Sequence, residues 1–293
     1  MELSQPADKH LIKSFLSLIK PGIIFGNAIT AAGGFALASK GHFNIGLFLI
    51  ALMGLSLIIG SGCAFNNYID READQKMKRT QDRPLAKGAI SIKSAVSFAV
   101  CLVIAGAFLL AAFVNFITLV FALIGFAVYV FWYSFAKYRT VHGTLIGSIA
   151  GAVPPVVGYC AVSNRFDLGA FILFIMIALW QMPHFYAIAI YRLEEYSAAS
   201  IPVLPIKKGI LAAKIQMLLY VAAFVISSLS LTFFGYTGIT YAIIVTILGA
   251  AWIGQSVSGF KTHDDKRWAR QMFISSLIIV TILCAILPFA HIL

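Results

Sequence analysis

The chain has 293 residues, 60% of them hydrophobic and 11% charged, with a net charge of +11 and a mean hydropathy of +0.92. About a quarter of the residues in a soluble domain are charged, so this composition excludes a water-soluble fold. It also excludes a nucleic-acid-binding module, because such a module needs a soluble basic face.

The hydrophobic residues form nine blocks, and each is long enough to cross a bilayer. A spanning helix needs about 20 apolar residues for about 30 Å of hydrocarbon. The boundary between the third and fourth blocks, at Asn115, is the least distinct. The predicted spans are 15–38, 43–68, 92–113, 116–136, 142–162, 168–191, 211–234, 237–258 and 269–290. We therefore predict an all-α polytopic membrane protein with a single domain over 1–293.

The distribution of Lys and Arg predicts the orientation of these spans. If the N-terminus is cytoplasmic, every Lys and Arg except Lys40 and Arg165 lies on the cytoplasmic side. Basic residues favour that side, so we expect the C-terminus to be periplasmic. The start of the chain shows neither a cleavable-signal nor a transit-peptide pattern, which favours a bacterial inner membrane over an organelle. The four cysteines have no paired spacing and predict neither disulfides nor a zinc site.

Glycines and prolines interrupt the apolar pattern of the fifth and sixth spans. Gly143, Gly147 and Gly151 recur every four residues, which places them on one helix face and indicates close helix packing. Pro154–Pro155 and Pro183 lie inside spans, where a freed carbonyl must find a partner in protein or at a cavity. Kinks at an internal chamber are therefore expected, although proline also occurs in ordinary membrane helices.

The strongest candidate site lies where the second span ends. Asn66, Asp70 and Asp74 are spaced i, i+4, i+8, so a helix places all three on one face. Their oxygens suit Mg²⁺, which commonly completes its shell with water or substrate phosphates. The cations Lys78 and Arg79, followed by Arg83, suit a diphosphate. The alternative is a solvated loop end, but polar residues that reach back into a span favour function.

This segment resembles the aspartate-rich motif of the UbiA superfamily of intramembrane prenyltransferases, Asn-Asp-x-x-Asp-x-x-x-Asp. Here Asn67 stands in place of the first Asp, as in the protohaem IX farnesyltransferase branch of that superfamily. Other stretches resemble the same branch, and together they cover most of residues 20–210. They are Lys20–Gly22, Asp82–Leu85, Gly143–Gly147, Gly151–Pro155, Trp180–Phe185 and Ala199–Pro205.

The resemblance implies a fold and a reaction. The fold would be nine helices around a central cavity open to the membrane. The substrates would be farnesyl diphosphate and haem B, with Mg²⁺ as cofactor and membrane lipid as surroundings. The product would be haem O, which links the chain to a haem-copper oxidase downstream. Lys20 and Asn67 are expected to contact substrate beside the metal-binding residues Asn66, Asp70 and Asp74.

A second polar cluster follows the sixth span and contains Tyr191, Arg192 and Glu195. The superfamily usually has Asp-x-x-x-Asp here, but Ala199 follows Glu195 at i+4, so the pair is incomplete. We assign the cluster to substrate binding. Glu195 either binds a second Mg²⁺ or forms an interfacial ion pair with Arg192.

His184 lies inside the sixth span, where ionisable groups are rare. It is either a hydrogen-bonded core residue or, given the implied substrate, an iron ligand or acid–base group. Tyr129, Trp132 and Tyr133 lie near the end of the fourth span. They either line the chamber and stabilise a cation, or form an interfacial aromatic belt, and we favour the belt.

The resulting hypothesis is that Asp70, Asp74 and Asn66 hold Mg²⁺ while Lys78, Arg79 and Arg83 bind the diphosphate. A farnesyl cation is then attacked by a haem vinyl group. One alternative is a prenyltransferase of the same superfamily that acts on an aromatic acid such as 4-hydroxybenzoate. Another is a membrane carrier of haem or a small molecule, although no internal repeat typical of transporters is evident.

Overall fold

A computed structural model describes the backbone of residues 7–289 and the side chains of 11–289. The side chain of Lys9, His291 and the end of the last predicted span at residue 290 lie outside this part. The α-helices are α1 Ala7–Leu18, α2 Pro21–Ser39, α3 Ile45–Asp74, α4 Ile92–Phe113, α5 Phe116–Ala127, α6 Ser134–Ala136, α7 Gly143–Gly151, α8 Val153–Ser163, α9 Leu168–Tyr191, α10 Leu193–Ala198, α11 Leu204–Phe233, α12 Ile239–Ser258 and α13 Asp265–Ile286.

Within residues 7–289, nine helical segments are long and apolar enough to cross a membrane, which confirms the predicted class. Their bounds are Pro21–Ser39, Ile45–Asp74, Ile92–Phe113, Phe116–Ala136, Gly143–Ser163, Leu168–Tyr191, Leu204–Phe233, Ile239–Lys261 and Asp265–Phe289. The fourth segment joins α5 to α6 through a π-helical turn, Val128–Tyr133. The protein is a multi-pass membrane protein; the orientation of its ends stays a prediction.

Three span boundaries differ from the prediction by six residues or more. The seventh span begins at Leu204 rather than at residue 211, and Gly209 (φ 84°) kinks it just before the predicted start. The first span begins at Pro21 rather than at residue 15, because Lys20 adopts a left-handed conformation (φ 50°) that separates it from α1. The second span continues to Asp74, beyond the predicted end at 68. Hydropathy falls where the polar residues begin, but the helix does not end there. The whole polar motif is therefore helical.

Helices α2 and α8 pack with their backbones in contact. An ideal Cβ at Gly34 would lie 2.0 Å from the carbonyl oxygen of Pro155, and one at Gly158 would lie 1.9 Å from that of Ala31. Only glycine permits such backbone contact. Because α2 also contacts α3 and α13, and α8 also contacts α3, α5 and α9, this pair joins the two sides of the bundle.

The glycine stripe of α7 has the packing role that its spacing predicts. Gly147 faces the ring of Tyr133, and Gly151 faces the side chain of Gln181. Of the two proline sites, only Pro154–Pro155 accompanies a break, since α7 ends at Gly151 and α8 begins at Val153. Pro183 lies inside the continuous helix α9.

The two long polar loops, after α3 and after α9, pack against each other. Buried Met77 of the first lies in one apolar cluster with Ala199 and Ile201 of the second. Tyr138, after α6, and Tyr196, in α10, border the same cluster. The loops therefore form one cap over the end of the bundle at which α3 presents Asp74.

Candidate active site

The polar face predicted on α3 exists and is buried. Asn66, Asp70 and Asp74 are 3%, 2% and 4% exposed. Charged groups are very rarely buried to this extent unless they are paired. Each of the three has a cationic partner from another part of the chain, so the face is an electrostatic centre rather than a solvated helix end.

Asp70 is held by two residues that follow α6. Lys137 Nζ donates to Asp70 Oδ2 at 2.6 Å, and the Tyr138 hydroxyl donates to Asp70 Oδ1 at 2.6 Å. Burial and the Asp70 charge both raise the pKa of Tyr138 above its ordinary value. The phenol therefore stays protonated and acts as a donor, and both carboxylate oxygens are fixed in direction.

Asp74 and Asn66 bind the other two cations of the face. Arg83 Nη1 lies 2.9 and 2.8 Å from the two oxygens of Asp74. Lys20 Nζ donates to Asn66 Oδ1 at 2.7 Å, and burial, followed by the charge of Arg83, lowers the pKa of Lys20 to about 8. Lys20 and Arg83 are thus close enough to repel each other, and an anion between them would relieve that repulsion.

Asn67 points away from this face, although it stands next to Asn66 in sequence. Its side-chain Nδ2 donates to the carbonyl oxygens of Leu18 at 2.9 Å and Cys63 at 3.0 Å. The bond to Leu18 ties the end of α1 to α3. The structure thus gives this amide a structural role at the α1–α3 contact.

The second polar cluster joins the first through Glu195. Arg192 Nη1 donates to Glu195 Oε1 at 2.9 Å, and Arg192 Nε donates to the Tyr191 hydroxyl at 3.0 Å. Arg79 Nε lies 3.7 Å from Glu195 Oε2. The predicted Arg192–Glu195 pair is therefore present, and Arg79 connects it to the first loop. Lys78 is exposed on the surface of that loop.

Tyr129 and Tyr133 lie inside the bundle, so the interfacial-belt interpretation is wrong for both. Their rings stack with centroids 5.5 Å apart, and they contact Gly62 of α3 and Gly147 of α7. The π-helical turn places Tyr129 and Tyr133 on one side, while Trp132 is 61% exposed and has the position of a belt residue. Lys137 Nζ lies 6.0 Å from the centroid of the Tyr133 ring.

His184 is buried on the side of α9 that faces α13. Its Nδ1 lies 2.7 Å from Ser276 Oγ, and its ring stacks on Trp180 with centroids 4.8 Å apart. Phe273 contacts both His184 and Tyr191, with ring centroids at 4.9 and 5.9 Å. An aromatic row therefore runs from His184 to the second polar cluster.

Two of the residues that contact Asp70 were missed by the sequence analysis. Lys137 was assigned only to membrane orientation, and Tyr138 was not considered. They are separated from Asp70 by 67 and 68 residues, so no local spacing relates them. The available signal was their position in a short polar connection directly after a span rich in tyrosine.

The α3 face fits a Mg²⁺ ion that substrate phosphates complete. Asp70 and Asp74 supply two carboxylates and Asn66 an amide oxygen, while Asn66 Nδ2 is buried without a partner. No group of three or more His, Cys, Asp and Glu side chains lies together among the described residues. Mg²⁺ needs only one or two carboxylates when it binds phosphate as well, so this donor set is sufficient.

An apolar pocket of about 290 Å³ opens beside the motif helix. It lies between α3, α4 and the fourth span, and Phe65, Ile69, Phe126 and Phe131 are among its lining residues. Ile69 and Phe131 are exposed, so the pocket opens on the outer surface of the bundle, on a different face of α3 from buried Asp70. Because its lining is hydrocarbon and aromatic, it suits an apolar chain rather than a polar ligand.

Comparison with known proteins agrees with this geometry. The chain is 56% identical over 279 residues to a protoheme IX farnesyltransferase of Protochlamydia amoebophila, covering 95% of this chain and 99% of the relative. It is 50% identical over 273 residues to protoheme IX farnesyltransferase 2 of Pseudomonas fluorescens. That match covers 93% of this chain and 92% of the relative.

Solved structures share the fold at lower identity. A structure described for digeranylgeranylglyceryl phosphate synthase superposes with a TM-score of 0.79 at 22% identity, covering 96% of this chain and 98% of the other. A UbiA homologue from Archaeoglobus fulgidus bound to GPP and Mg²⁺ superposes with a TM-score of 0.66 at 16% sequence identity. The match covers 95% of this chain and 99% of the homologue. The sequence model of the UbiA prenyltransferase family matches residues 27–277. The chain belongs to the UbiA prenyltransferase family.

Proposed function

We propose that the chain transfers the farnesyl group of farnesyl diphosphate to a vinyl group of haem B, giving haem O, in a Mg²⁺-dependent reaction. The observation that carries this proposal is the buried face of Asn66, Asp70 and Asp74, which is surrounded by cations from three other segments. The farnesyltransferase relatives support the choice of substrates.

The diphosphate end of the substrate lies against the α3 face. Lys20, Arg83 and Lys137 each contact one residue of that face, and they would turn from carboxylate and amide oxygens to the phosphate oxygens. Bound Mg²⁺, held by Asp70 and Asp74 with Asn66, would supply further positive charge for the leaving group. Arg79 and Lys78, in the loop between Asp74 and Arg83, are the outer cations that attract the substrate.

The chemistry then breaks the C1–O bond, the π bond of the vinyl group and one O–H bond of water, and it forms one C–C and one C–O bond. The C1–O bond of farnesyl diphosphate breaks, and the diphosphate departs with the electron pair, stabilised by the fixed cations. The haem vinyl carbon bonds to C1, and water adds its oxygen to the neighbouring carbon while it loses a proton. The inward rings of Tyr129 and Tyr133 are placed to stabilise the allylic cation with their faces. The apolar pocket beside Ile69 offers room for hydrocarbon.

The second polar cluster belongs to the same site in this proposal. Glu195, held by Arg192 and close to Arg79, positions Arg79 at the phosphate end or binds a second Mg²⁺. Tyr191 and Arg192 lie at the end of the aromatic row that leads to His184, so they would contact the second substrate. Asn67 contributes indirectly, because its bonds keep α1 and Lys20 beside α3.

We also propose that the capped end of the bundle faces the cytoplasm of a bacterium. The loop between α3 and α4 alone carries five basic residues, Lys76, Lys78, Arg79, Arg83 and Lys87, and such loops stay cytoplasmic. The diphosphate end of farnesyl diphosphate is charged and stays in water. A site beneath cytoplasmic loops can therefore take up the substrate directly from the cytoplasm. The product would then enter the membrane from the same bundle, where a haem-copper oxidase would use it.

An assay with purified protein in lipid nanodiscs tests the proposal. Farnesyl diphosphate and Mg²⁺ are supplied with either haem B or 4-hydroxybenzoate, and products are identified by chromatography and mass spectrometry. We expect haem O from the first mixture and no prenylated 4-hydroxybenzoate from the second. Prenylation of the aromatic acid alone would refute the choice of acceptor, and the absence of any diphosphate release would favour a carrier.

Two variants on α3 distinguish a loss caused by removing a site residue from a loss caused by any change to that helix. Asp70→Asn removes a carboxylate that is 2% exposed and is expected to lower turnover by at least about 1,000-fold, about 4 kcal/mol of barrier. Glu72→Gln is the matched control, since the Glu72 side chain is 79% exposed on the same helix. The proposal fails if both variants keep wild-type turnover while they remain folded in the membrane.

A further inference from the structure

The protonation of His184 is decided by the hydrogen bonds of Ser276. Ser276 Oγ donates its single proton to the carbonyl oxygen of Phe273 at 2.6 Å, one turn earlier in α13. His184 Nδ1 lies 2.7 Å from the same hydroxyl oxygen, and both contacts are satisfied together only when that oxygen accepts from Nδ1. In that arrangement Nδ1 carries the proton, and the neutral ring presents an unprotonated Nε2.

The ring of His184 is fixed in position by aromatic neighbours. Trp180 stacks on it at an interplanar angle of 28°, and Trp180 Nε1 donates to the carbonyl oxygen of Ser276 at 2.8 Å. Phe273 and Phe185 contact other parts of the ring, at centroid distances of 4.9 and 5.2 Å. Two hydrogen bonds to the same serine thus hold Trp180 and His184 against α13.

Nε2 of His184 makes no hydrogen bond to any residue from 11 to 289. Among the side chains described, His184 is also the only buried histidine, since His42, His142 and His263 are exposed. Nε2 is not among the fully buried side-chain atoms that lack a partner, so it keeps some access from outside the bundle core. Nδ1 is bound and oriented, and Nε2 has a free lone pair that a ligand can reach.

This arrangement has the features of a histidine prepared to bind a metal. Metal-binding histidines usually donate their second N–H to a neighbouring group, which fixes the tautomer and the ring direction. Imidazole is a common axial ligand of haem iron. Trp180, Phe185 and Phe273 are half-buried or exposed and surround His184 with flat apolar surface, which matches the face of a porphyrin.

We infer that Nε2 of His184 is an axial ligand of the haem iron in the acceptor substrate, and that Ser276 is the positioning residue that keeps Nε2 unprotonated. The inference rests on the proposed function, because it needs haem B as the acceptor. It assigns the haem iron to the His184 end of the aromatic row between α9 and α13, and the row leads from there to Tyr191 and Arg192.

Titration of the nanodisc-embedded protein with two porphyrins tests the ligation. The probes are ferric haem B, followed by its Soret band, and metal-free protoporphyrin IX, followed by fluorescence. We expect His184→Ala to weaken binding of haem B at least about 10-fold and to remove the imidazole-ligated Soret position. Binding of the metal-free porphyrin should stay within about twofold, and added imidazole should restore the Soret position. Equal losses for both porphyrins, or an unchanged Soret band, would overturn the ligation.

Ser276→Ala tests the positioning role through the same spectrum. The free hydroxyl acceptor is lost, so we expect affinity for ferric haem B to fall about 10- to 100-fold. Ser228→Ala is the matched control, since Ser228 is equally buried and bonds a carbonyl one turn earlier, that of Phe224, without contacting a histidine. Identical haem spectra and affinities for the Ser276 variant, the Ser228 variant and wild type would overturn the role of Ser276.

The outcomes also separate this inference from the proposed function. A wild-type protein that makes haem O while His184→Ala retains an unchanged Soret band overturns the inference alone. A wild-type protein that binds neither porphyrin and makes no haem O overturns the proposed function and this inference together.

Discussion

Replacing Asn67 by Asp restores the usual motif of the UbiA superfamily, yet the structure predicts that it destabilises this chain. Asn67 is 1% exposed and donates two hydrogen bonds, to the carbonyl oxygens of Leu18 and Cys63. An ionised carboxylate has no proton to donate. It would instead face two carbonyl oxygens at hydrogen-bonding distance, without a cation of its own.

The size of this effect follows from the least costly arrangement of the new carboxyl. If it remains protonated, it can replace one of the two hydrogen bonds. Holding it neutral at pH 7 costs about 4 kcal/mol, because pH 7 lies about three units above the ordinary pKa of an aspartic acid, about 3.9. The second lost hydrogen bond adds about 1 kcal/mol. We therefore expect Asn67→Asp to destabilise the protein by about 5 kcal/mol.

Asn66→Asp is the matched control at the neighbouring position. Asn66 accepts a hydrogen bond from Lys20 through Oδ1, and its Nδ2 has no partner, so a carboxylate loses no contact there. Thermal unfolding of the detergent-solubilised variants, followed by tryptophan fluorescence, measures both effects. At about 2–4 °C per kcal/mol, we expect Tm to fall by about 10–20 °C for Asn67→Asp and by less than about 5 °C for Asn66→Asp.

Equal Tm values for the two variants would refute this reasoning. That result would mean that the side chain at position 67 can turn toward Asp70 and abandon its contacts with α1. A second refuting result is an Asn67→Asp protein with wild-type Tm and higher affinity for Mg²⁺. The position would then belong to the metal site, as the superfamily motif implies.

Two further changes test the packing and the polar face. Gly34→Ala would place a Cβ 2.0 Å from the carbonyl oxygen of Pro155, so we expect a loss of about 1–3 kcal/mol in detergent melts, whereas Gly26→Ala, on the same helix with open space, should not lower Tm. Tyr138→Phe removes one donor from Asp70 and keeps the ring. We expect the apparent affinity for Mg²⁺ in the farnesyl transfer assay to fall about 10- to 100-fold. An unchanged Mg²⁺ titration would show that Lys137 alone holds Asp70.

Hydropathy was sufficient to locate the spans because each must satisfy its own backbone hydrogen bonds within lipid. The bounds agree closely from Ile92 to Tyr191, where the spans end at loops rich in polar residues. Agreement is poorer at the start of the first span, at the end of the second and at the start of the seventh. In each place a helix contains or meets polar residues, and hydropathy does not distinguish a polar helical turn from a loop.

The polar motif was also readable from sequence, because its residues lie on one helix. A spacing of four residues places Asn66, Asp70 and Asp74 on one face wherever the helix lies in the fold. The direction of the neighbouring Asn67 was not readable. Its amide belongs to the contact with Leu18, and that contact exists only because α1 folds back beside α3.

The sequence by itself determined the membrane class, the nine spans and the helical face around Asp70, since these depend on composition and local periodicity. Only the tertiary structure decided which cations meet that face, because Lys137 and Tyr138 reach Asp70 across 67 and 68 residues. The same holds for the inward direction of Tyr129 and Tyr133 and for the contact of His184 with Ser276, 92 residues away. These features arise from packing between helices, which neither hydropathy nor spacing along one helix records.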